Sequence, residues 1–291
     1  MHPDVQWFHH AGTGSWTYVI ADPATRAAAI VDPVLDFDWK SVRTTTTAAD
    51  EVVEHCRAQR LDVRWILETH AHADHLSAAQ HLKSRLGGEV AISRGIVDVQ
   101  RTFTRIYGLG QEFATDGRQF DRLLDDGEVL PLGSMSVRVL GTPGHTSDSV
   151  SFLAGDAVFI GDTLFMPDSG SARCDFPGGD ARQLYRSVVE RLFALPAATR
   201  VFVCHDYRPG GREARCETSV AEQRRTNVHL NDGVDESAFV RLRTERDATL
   251  DVPNLIVAAV QVNIRAGHLP PPEPDGVSYL RAPLDVFGRP R

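Results

Sequence analysis

The segment Thr69-His70-Ala71-His72-Ala73-Asp74-His75 lies one residue beyond an apolar run, residues 65–67, that is typical of a buried strand. It places three imidazoles and one carboxylate within a few consecutive positions. Each imidazole can offer one ring nitrogen to a cation while a neighbour holds the other, and so dense a cluster is costly in a core without a metal. The segment therefore predicts a metal site at the end of a strand.

Three further residues of ligand type also follow apolar strands. His145 comes after residues 135–140, Asp162 after residues 157–160, and His205 after residues 201–204. Loops at one edge of a sheet are where a rigid scaffold can bring distant side chains to a single cation. Any one of these residues alone would be typical of an ordinary polar loop, but together with the histidine cluster they predict one shared site.

With these residues the chain resembles the metallo-β-lactamase superfamily, whose H-x-H-x-D-H element matches His70, His72, Asp74 and His75. The later ligands of that superfamily match His145, Asp162 and His205. Within the superfamily the chain is similar to the persulfide dioxygenases over roughly residues 7 to 267. The matching segments are residues 17–20, 31–34, 141–146, 161–164, 172–176, 184–188, 205–207 and 263–267.

Short apolar strands alternate with helical patterns along the chain. This order suits two mixed sheets packed face to face with helices outside, although composition alone does not separate it from a doubly wound sheet. The resemblance implies the α/β metallo-β-lactamase fold, an αββα four-layer sandwich. We expect a catalytic domain over residues 1–230, an inserted lid or interface element at 95–121, and a C-terminal extension over 231–291 that packs on the same domain.

A helix is also predicted immediately after the histidine cluster. Leu76, Ala79, Leu82 and Leu86 recur at helical spacing, and the glycines at 87 and 88 supply a stop. This pattern places Asp74 and His75 at the N-terminus of the helix, where the helix dipole would favour a carboxylate.

Seven candidate ligands can be arranged in two ways. In a two-metal site that activates water, His70, His72 and His145 hold one ion, Asp74, His75 and His205 hold the second, and Asp162 bridges them. In a mononuclear site, only His70, His145 and Asp162 bind, forming the facial two-histidine, one-carboxylate set of non-haem iron oxygenases with three open positions. Residue types alone mildly favour the first arrangement. The resemblance implies the second, in which His72, Asp74, His75 and His205 surround the metal without binding it.

The resemblance implies an iron(II) persulfide dioxygenase that uses O2 and water to convert glutathione persulfide to sulfite and glutathione, in sulfide detoxification. The alternative is a glyoxalase II-like hydroxyacylglutathione hydrolase with two zinc, iron or manganese ions. A third class, a degenerate fold retained for protein binding, is disfavoured by the intact set of ligands.

Four further residues are candidates for contact with the substrate. Tyr207 would point toward the metal-bound substrate and act in catalysis, with a packed core tyrosine as the alternative. Arg173, Asp175 and Arg265 lie in the matching segments, and an arginine can pair with a substrate carboxylate through two hydrogen bonds. The alternative for Arg173 and Arg265 is a structural contact, either an ion pair with Asp175 or a hydrogen bond to a backbone carbonyl.

The composition excludes several classes of function. The 291 residues are 42% hydrophobic and 24% charged, as in ordinary globular proteins, and the net charge of -8 disfavours nucleic acid. The four cysteines form no C-x-x-C pair, which fits a reducing compartment and predicts a cytoplasmic protein. No segment suggests a signal peptide or membrane span. The expected partners are a small-molecule substrate and O2, and the chain could assemble as a homodimer.

Overall fold

The computed structural model describes residues 2–288. Its strands are β1 (Asp4–His10), β2 (Ser15–Ala21), β3 (Ala27–Val31), β4 (Val34–Asp38), β5 (Arg43–Thr45), β6 (Asp62–Leu67), β7 (Leu76–Ser77), β8 (Glu89–Ser93), β9 (Arg122–Leu124), β10 (Val129–Leu132), β11 (Met135–Gly141), β12 (Val150–Ala154), β13 (Ala157–Phe159), β14 (Arg200–Phe202) and β15 (Glu217–Ser219). Its α-helices are α1 (Thr47–Ala58), α2 (Ala79–Leu86), α3 (Ile96–Tyr107), α4 (Ala181–Arg186), α5 (Val220–Thr226), α6 (Glu236–Asp247) and α7 (Ile256–Asn263). A π-helix, Ser187–Leu192, continues α4.

Two six-stranded sheets form the centre of the molecule. Their strand orders are β1-β2-β3-β6-β8-β9 and β10-β11-β12-β13-β14-β15. Because side chains alternate between the two faces of a strand, successive residues of β2 enter different cores. Tyr18 points between the sheets, where it meets Phe159 and Phe202, whereas Val19 points to the outer face.

Helices cover both outer faces. On the first sheet, α1, α2, α3 and α7 bury an apolar cluster that includes Val52, Leu82 and Val260. On the second sheet, α4, its π-helical continuation and α6 bury Leu184, Val188 and Phe239. The layers are therefore helix, sheet, sheet, helix, and the predicted αββα sandwich is confirmed. Within residues 2–288, no helix is both long enough and apolar enough to cross a bilayer.

The predicted start of the second helix is wrong. Helix α2 begins at Ala79, and the residues before it form β7, which pairs with β4. Leu76 fits a helical period, but the backbone N–H of Ser77 donates to the side chain of Asn263 at 2.8 Å, and Ser77 Oγ donates to buried Glu68. Asp74 and His75 consequently lie in a loop stabilised by tertiary contacts and not at a helix N-terminus.

The segment at 95–121 packs into the main core. Helix α3 buries Val99 and Phe103, and Tyr107 Oη donates to the carbonyl oxygen of Ile256 at 2.9 Å, which ties α3 to the start of α7. The proposed role of this segment as a lid or interface, like the division into domains at residue 230, stays a prediction. The four cysteines are free and buried, and the cytoplasmic location and the homodimer also stay predictions.

Candidate metal centre

The histidine cluster occupies a buried loop after β6, at the edge where the two sheets meet. Asp32, which follows β3, holds the beginning of this loop: its Oδ1 accepts the Thr69 backbone N–H at 2.8 Å and its Oδ2 accepts the Thr69 hydroxyl at 2.9 Å. Asp32 Oδ1 also lies 3.2 Å from His72 Nε2. Asp32 lies in one of the matching segments, but nothing in the sequence showed that its carboxylate contacts the cluster.

His70, His145 and Asp162 meet at one point. The Nε2 atoms of His70 and His145 each lie 3.8 Å from Asp162 Oδ2, and the two rings stand nearly perpendicular with centroids 5.0 Å apart. His145 Nδ1 lies 2.7 Å from the carbonyl oxygen of Arg173. Because a carbonyl oxygen can only accept, Nδ1 carries the proton and Nε2 is left with a free lone pair.

Two glycines allow the loops that carry these ligands to approach. Gly144, next to His145, has a φ of +139°, and an added Cβ would lie 2.3 Å from the backbone nitrogen of Leu184 in α4. Gly161, next to Asp162, has a φ of +51°, and an added Cβ would lie 2.4 Å from Thr69 Oγ1. A side chain at either position would push a ligand loop away from its neighbour.

The other four predicted residues form an adjacent group. Donor atoms of His72, Asp74, His75 and His205 all lie within 4.8 Å of one another. His205 Nε2 lies 3.0 Å from Asp74 Oδ2 and 3.3 Å from Asp162 Oδ1, so Asp162 lies between the two groups. The structure therefore brings all seven predicted ligands together.

The unpartnered atoms of this cluster fit a metal. Five buried atoms that could bind a metal have no hydrogen-bond partner among the described residues: His70 Nε2, His72 Nδ1, His75 Nε2, Asp162 Oδ1 and His205 Nε2. Buried polar atoms are normally partnered, and a concentration of exceptions indicates a missing ion. Nitrogen and carboxylate donors of this kind suit divalent iron, zinc or manganese. The unpartnered atoms belong both to the group of His70, His145 and Asp162 and to the group of four residues beside it, so they fit one ion or two.

Burial also keeps three of the histidines ready to bind. It lowers the pKa of His70 and of His72 well below the ordinary value for histidine, and it lowers the pKa of His145 to about 4. These rings are consequently neutral at pH 7, which is the form that binds metals. Burial raises the pKa of Asp162 to about 7, with the negative charges of Asp74 and Asp32 acting in the same direction and His205 opposing them.

Helix α7 supports the loop from the C-terminal side. Asn263 Nδ2 donates to the carbonyl oxygens of His72 and His75, both at 2.8 Å, and its Oδ1 accepts the N–H of Ser77 at 2.8 Å. Asn263 is buried. The side-chain amide of Asn263 therefore hydrogen-bonds three backbone groups of the ligand loop. This role could not be predicted from local sequence, because Asn263 is far from the loop along the chain.

A cavity of about 600 Å³ opens over the cluster. His145, Asp162 and His205 lie at its floor, and Tyr207 lines it. The Tyr207 side chain packs edge-on against Phe165, with ring centroids 4.9 Å apart, and is 67% exposed. Tyr207 is therefore not a packed core residue.

The predicted substrate-binding residues divide into two sets. Arg173 lines the cavity with Tyr207, but its guanidinium donates to both carboxylate oxygens of Asp175, at 2.6 and 2.7 Å, and to the Asp251 carbonyl oxygen at 2.6 Å. Asp175 and Arg265 do not line this cavity. Arg265 donates to the carbonyl oxygen of Gln261 at 2.6 Å and lies over the ring of Phe113. Among the polar residues of the wall that sequence reasoning missed are Ser169, His229, Arg243 and Arg246.

The chain belongs to the metallo-β-lactamase superfamily. The model of that superfamily matches residues 10–205, the part that contains every candidate ligand. The chain is thus a member of a metal-dependent enzyme superfamily, with a His/Asp cluster and a cavity that suits a small-molecule substrate.

Particular relatives divide between two descriptions. The chain is 50% identical to a probable metallo-hydrolase of Burkholderia pseudomallei, over 97% of this chain and 99% of that protein, and 46% identical to glyoxylase B2 of Dictyostelium discoideum, over 97% of each. It is 29% identical to the mitochondrial persulfide dioxygenase ETHE1 of Bos taurus, over 89% of this chain and 86% of that protein. The crystal structure of ETHE1 from Myxococcus xanthus has a TM-score of 0.72 and 31% identity, covering 91% of this chain and 100% of that one.

Proposed function

We propose that the protein is an iron-dependent persulfide dioxygenase. The reaction consumes glutathione persulfide, one O2 and one water and releases glutathione, sulfite and two protons. The observation that carries the proposal is the similarity in fold and sequence to ETHE1 of Myxococcus xanthus over the whole of that chain. The persulfide dioxygenase of Bos taurus, which is similar over 89% of this chain, points to the same reaction.

In this proposal His70, His145 and Asp162 hold one iron(II). Iron bound by two histidines and one carboxylate supplies redox chemistry with dioxygen and keeps positions free for substrates. The protein contributes the donors and their orientation: the Arg173 carbonyl oxygen fixes the His145 tautomer, and Gly161 lets the Asp162 loop pack against Thr69. His72, Asp74, His75 and His205 then surround the site, with His72 held by Asp32.

Tyr207 and the apolar wall act on the substrate. The Tyr207 hydroxyl lines the cavity and has no hydrogen-bond partner among residues 2–288, so it is free to donate to the terminal sulfur or to an oxygen of the substrate. Phe165, Phe176 and Leu255 form an apolar part of the wall. Such a wall limits the access of water, which would otherwise compete at the reacting centre.

A glyoxalase II-like hydrolase is the second candidate. Two observations favour it: His72 Nδ1 and His75 Nε2, which belong to different ligand sets of a two-metal site, are both buried without partners among residues 2–288, and the chain is 46% identical to glyoxylase B2. In that arrangement Asp74, His75 and His205 would hold the second ion, His72 would join His70 and His145 at the first, and the two ions would supply a hydroxide for attack on a thioester carbonyl.

One preparation can decide between the two candidates. The protein is purified without oxygen, its metals are counted, and the same material is offered glutathione persulfide and lactoylglutathione. We expect one iron per chain, oxygen consumption that matches sulfite formation, and negligible thioester cleavage. Two metal ions per chain with rapid thioester cleavage and no oxygen consumption would assign the hydrolase instead.

A further inference from the structure

The cavity has a second polar region, formed by residues other than the metal ligands. Ser169, His229, Arg243 and Arg246 line it together. Two of them belong to α6, and the other two lie in the loops after β13 and α5. The proposed oxidation at sulfur uses none of the four.

The charges of this wall leave one cation uncompensated. Arg243 is 1% exposed and its guanidinium is paired with Asp247, and Arg173 is paired with Asp175. Arg246 is exposed and forms no ion pair or hydrogen bond through its guanidinium with any described residue. One carboxylate outside the metal cluster, Asp251, also lines the cavity, and no ion pair joins it to Arg246. Arg246 is thus available to an anionic ligand.

His229 and Ser169 add donors beside this charge. His229 Nδ1 accepts the Ser171 N–H at 3.0 Å, so the ring proton is on Nε2, which has no acceptor among residues 2–288. Burial, followed by the charges of Arg243 and Arg246, lowers the pKa of His229 to about 4, and the ring is therefore neutral at pH 7. Ser169 Oγ is buried and has no partner in the described part of the chain.

This wall lies close to the metal ligands. The Ser171 N–H contacts His229, and two residues later the Arg173 carbonyl oxygen accepts from His145. Two residues of chain span at most about 7 Å. A ligand whose sulfur lies over the metal site therefore has this wall, which His229 and Arg246 both line, within reach of its adjoining residue.

We infer that Arg246, with His229 and Ser169, forms a carboxylate-binding subsite that holds the acidic end of a thiol-borne substrate. This inference rests on the proposed function for the position of the sulfur, and it adds the side chains that select an acidic thiol. Arg246 supplies the charge, while the neutral His229 and the Ser169 hydroxyl supply hydrogen bonds to the same carboxylate group.

The test measures binding without turnover. S-methylglutathione, which keeps both carboxylates but cannot form a persulfide, is titrated calorimetrically into the metal-loaded protein. Arg246→Gln should weaken this binding about tenfold or more, since hydrogen bonds to a charged group are lost. The diester of S-methylglutathione, without carboxylates, should bind the wild type and Arg246→Gln equally. In turnover, the same variant should raise KM for glutathione persulfide at unchanged kcat.

Arg241→Gln is the matched control, because Arg241 is exposed on the same helix but does not line the cavity. It should bind S-methylglutathione as the wild type does. Equal weakening by both substitutions, or unchanged binding of S-methylglutathione by Arg246→Gln, would overturn the carboxylate subsite. Binding that depends on Arg246, in a protein that consumes no oxygen with the persulfide, would keep the subsite and reject the dioxygenase.

Discussion

Asp162 connects the two groups of the metal cluster through its two oxygens. Oδ2 lies 3.8 Å from both His70 and His145, and Oδ1 lies 3.3 Å from His205. In a mononuclear site Asp162 would share a metal with His70 and His145 but not with His205. In a dinuclear site it would share a metal with all three histidines. The loss of individual residues should therefore distinguish the two arrangements.

Single substitutions at His70, His145 and Asp162 to alanine should each abolish retention of iron. A facial set with two remaining donors holds its metal too weakly to survive desalting. His205→Ala should retain iron at near-stoichiometric occupancy, with an affinity reduced about 10- to 100-fold, because it removes a neighbour and not a ligand. The measurement is metal content after desalting. Loss of iron from His205→Ala as complete as from His70→Ala would contradict the mononuclear assignment.

Tyr207→Phe should lower kcat for glutathione persulfide about 10- to 100-fold, because it removes one hydrogen-bond donor from the reacting centre. Metal content and stability should be unchanged, since the Tyr207 hydroxyl has no partner in the described structure and the ring contact with Phe165 is kept. Steady-state oxygen uptake at fixed iron content checks this. An unaltered kcat would mean that the ring only packs beside the cavity.

At the scale of elements, α7 and the ligand loop form one unit although almost 190 residues separate Asn263 from His75 in the chain. The C-terminal end of α7 fixes the loop through Asn263, and its N-terminal end is tied to α3 through Tyr107. These two contacts allow the effect of α7 on the metal site to be separated from its effect on stability.

Asn263→Ala should weaken metal binding and also destabilise the fold. The substitution leaves two carbonyl oxygens and one N–H of the loop buried without a partner, at a cost of about 1–3 kcal/mol for each group that water does not reach. Metal competition titrations and urea denaturation measure the two effects. Tyr107→Phe, the matched control, should cost about 1 kcal/mol of stability and leave metal affinity unchanged. Equal loss of metal affinity in both variants would show that Asn263 does not position the ligand loop specifically.

At the scale of the whole molecule, the metal site joins separate parts of the fold. Its residues follow β6 of the first sheet and β11, β13 and β14 of the second, and α7 holds the loop from behind. A metal bound to the native state alone therefore stabilises the entire domain through its binding free energy.

Chelation should lower the midpoint of thermal unfolding. At a free metal concentration about 1,000 times the dissociation constant, binding contributes about 4 kcal/mol, which is several degrees in a domain of this size. Differential scanning calorimetry with and without chelator measures the change. Asp162→Ala provides the control, because a variant that holds no metal should not respond. A wild-type protein that unfolds at the same temperature after verified metal loss would contradict the prediction.

The sequence by itself determined the class of fold and the composition of the metal cluster. The H-x-H-x-D-H spacing and the ligand-type residues after three other strands predicted all seven neighbours, because strand ends and short loops are read from local patterns. The family resemblance that these residues carry implied the four-layer sandwich. Only the tertiary structure decided the partners of those residues. Asp32 and Asn263 reach the loop from distant segments, and β7 replaces a predicted helical turn because Ser77 bonds to Asn263. Arg173 is paired with Asp175, whereas Arg246 has no ion-pair partner among residues 2–288. Periodicity records which face of an element is buried, but the partner of a long polar side chain depends on distances across the fold, which local sequence does not encode.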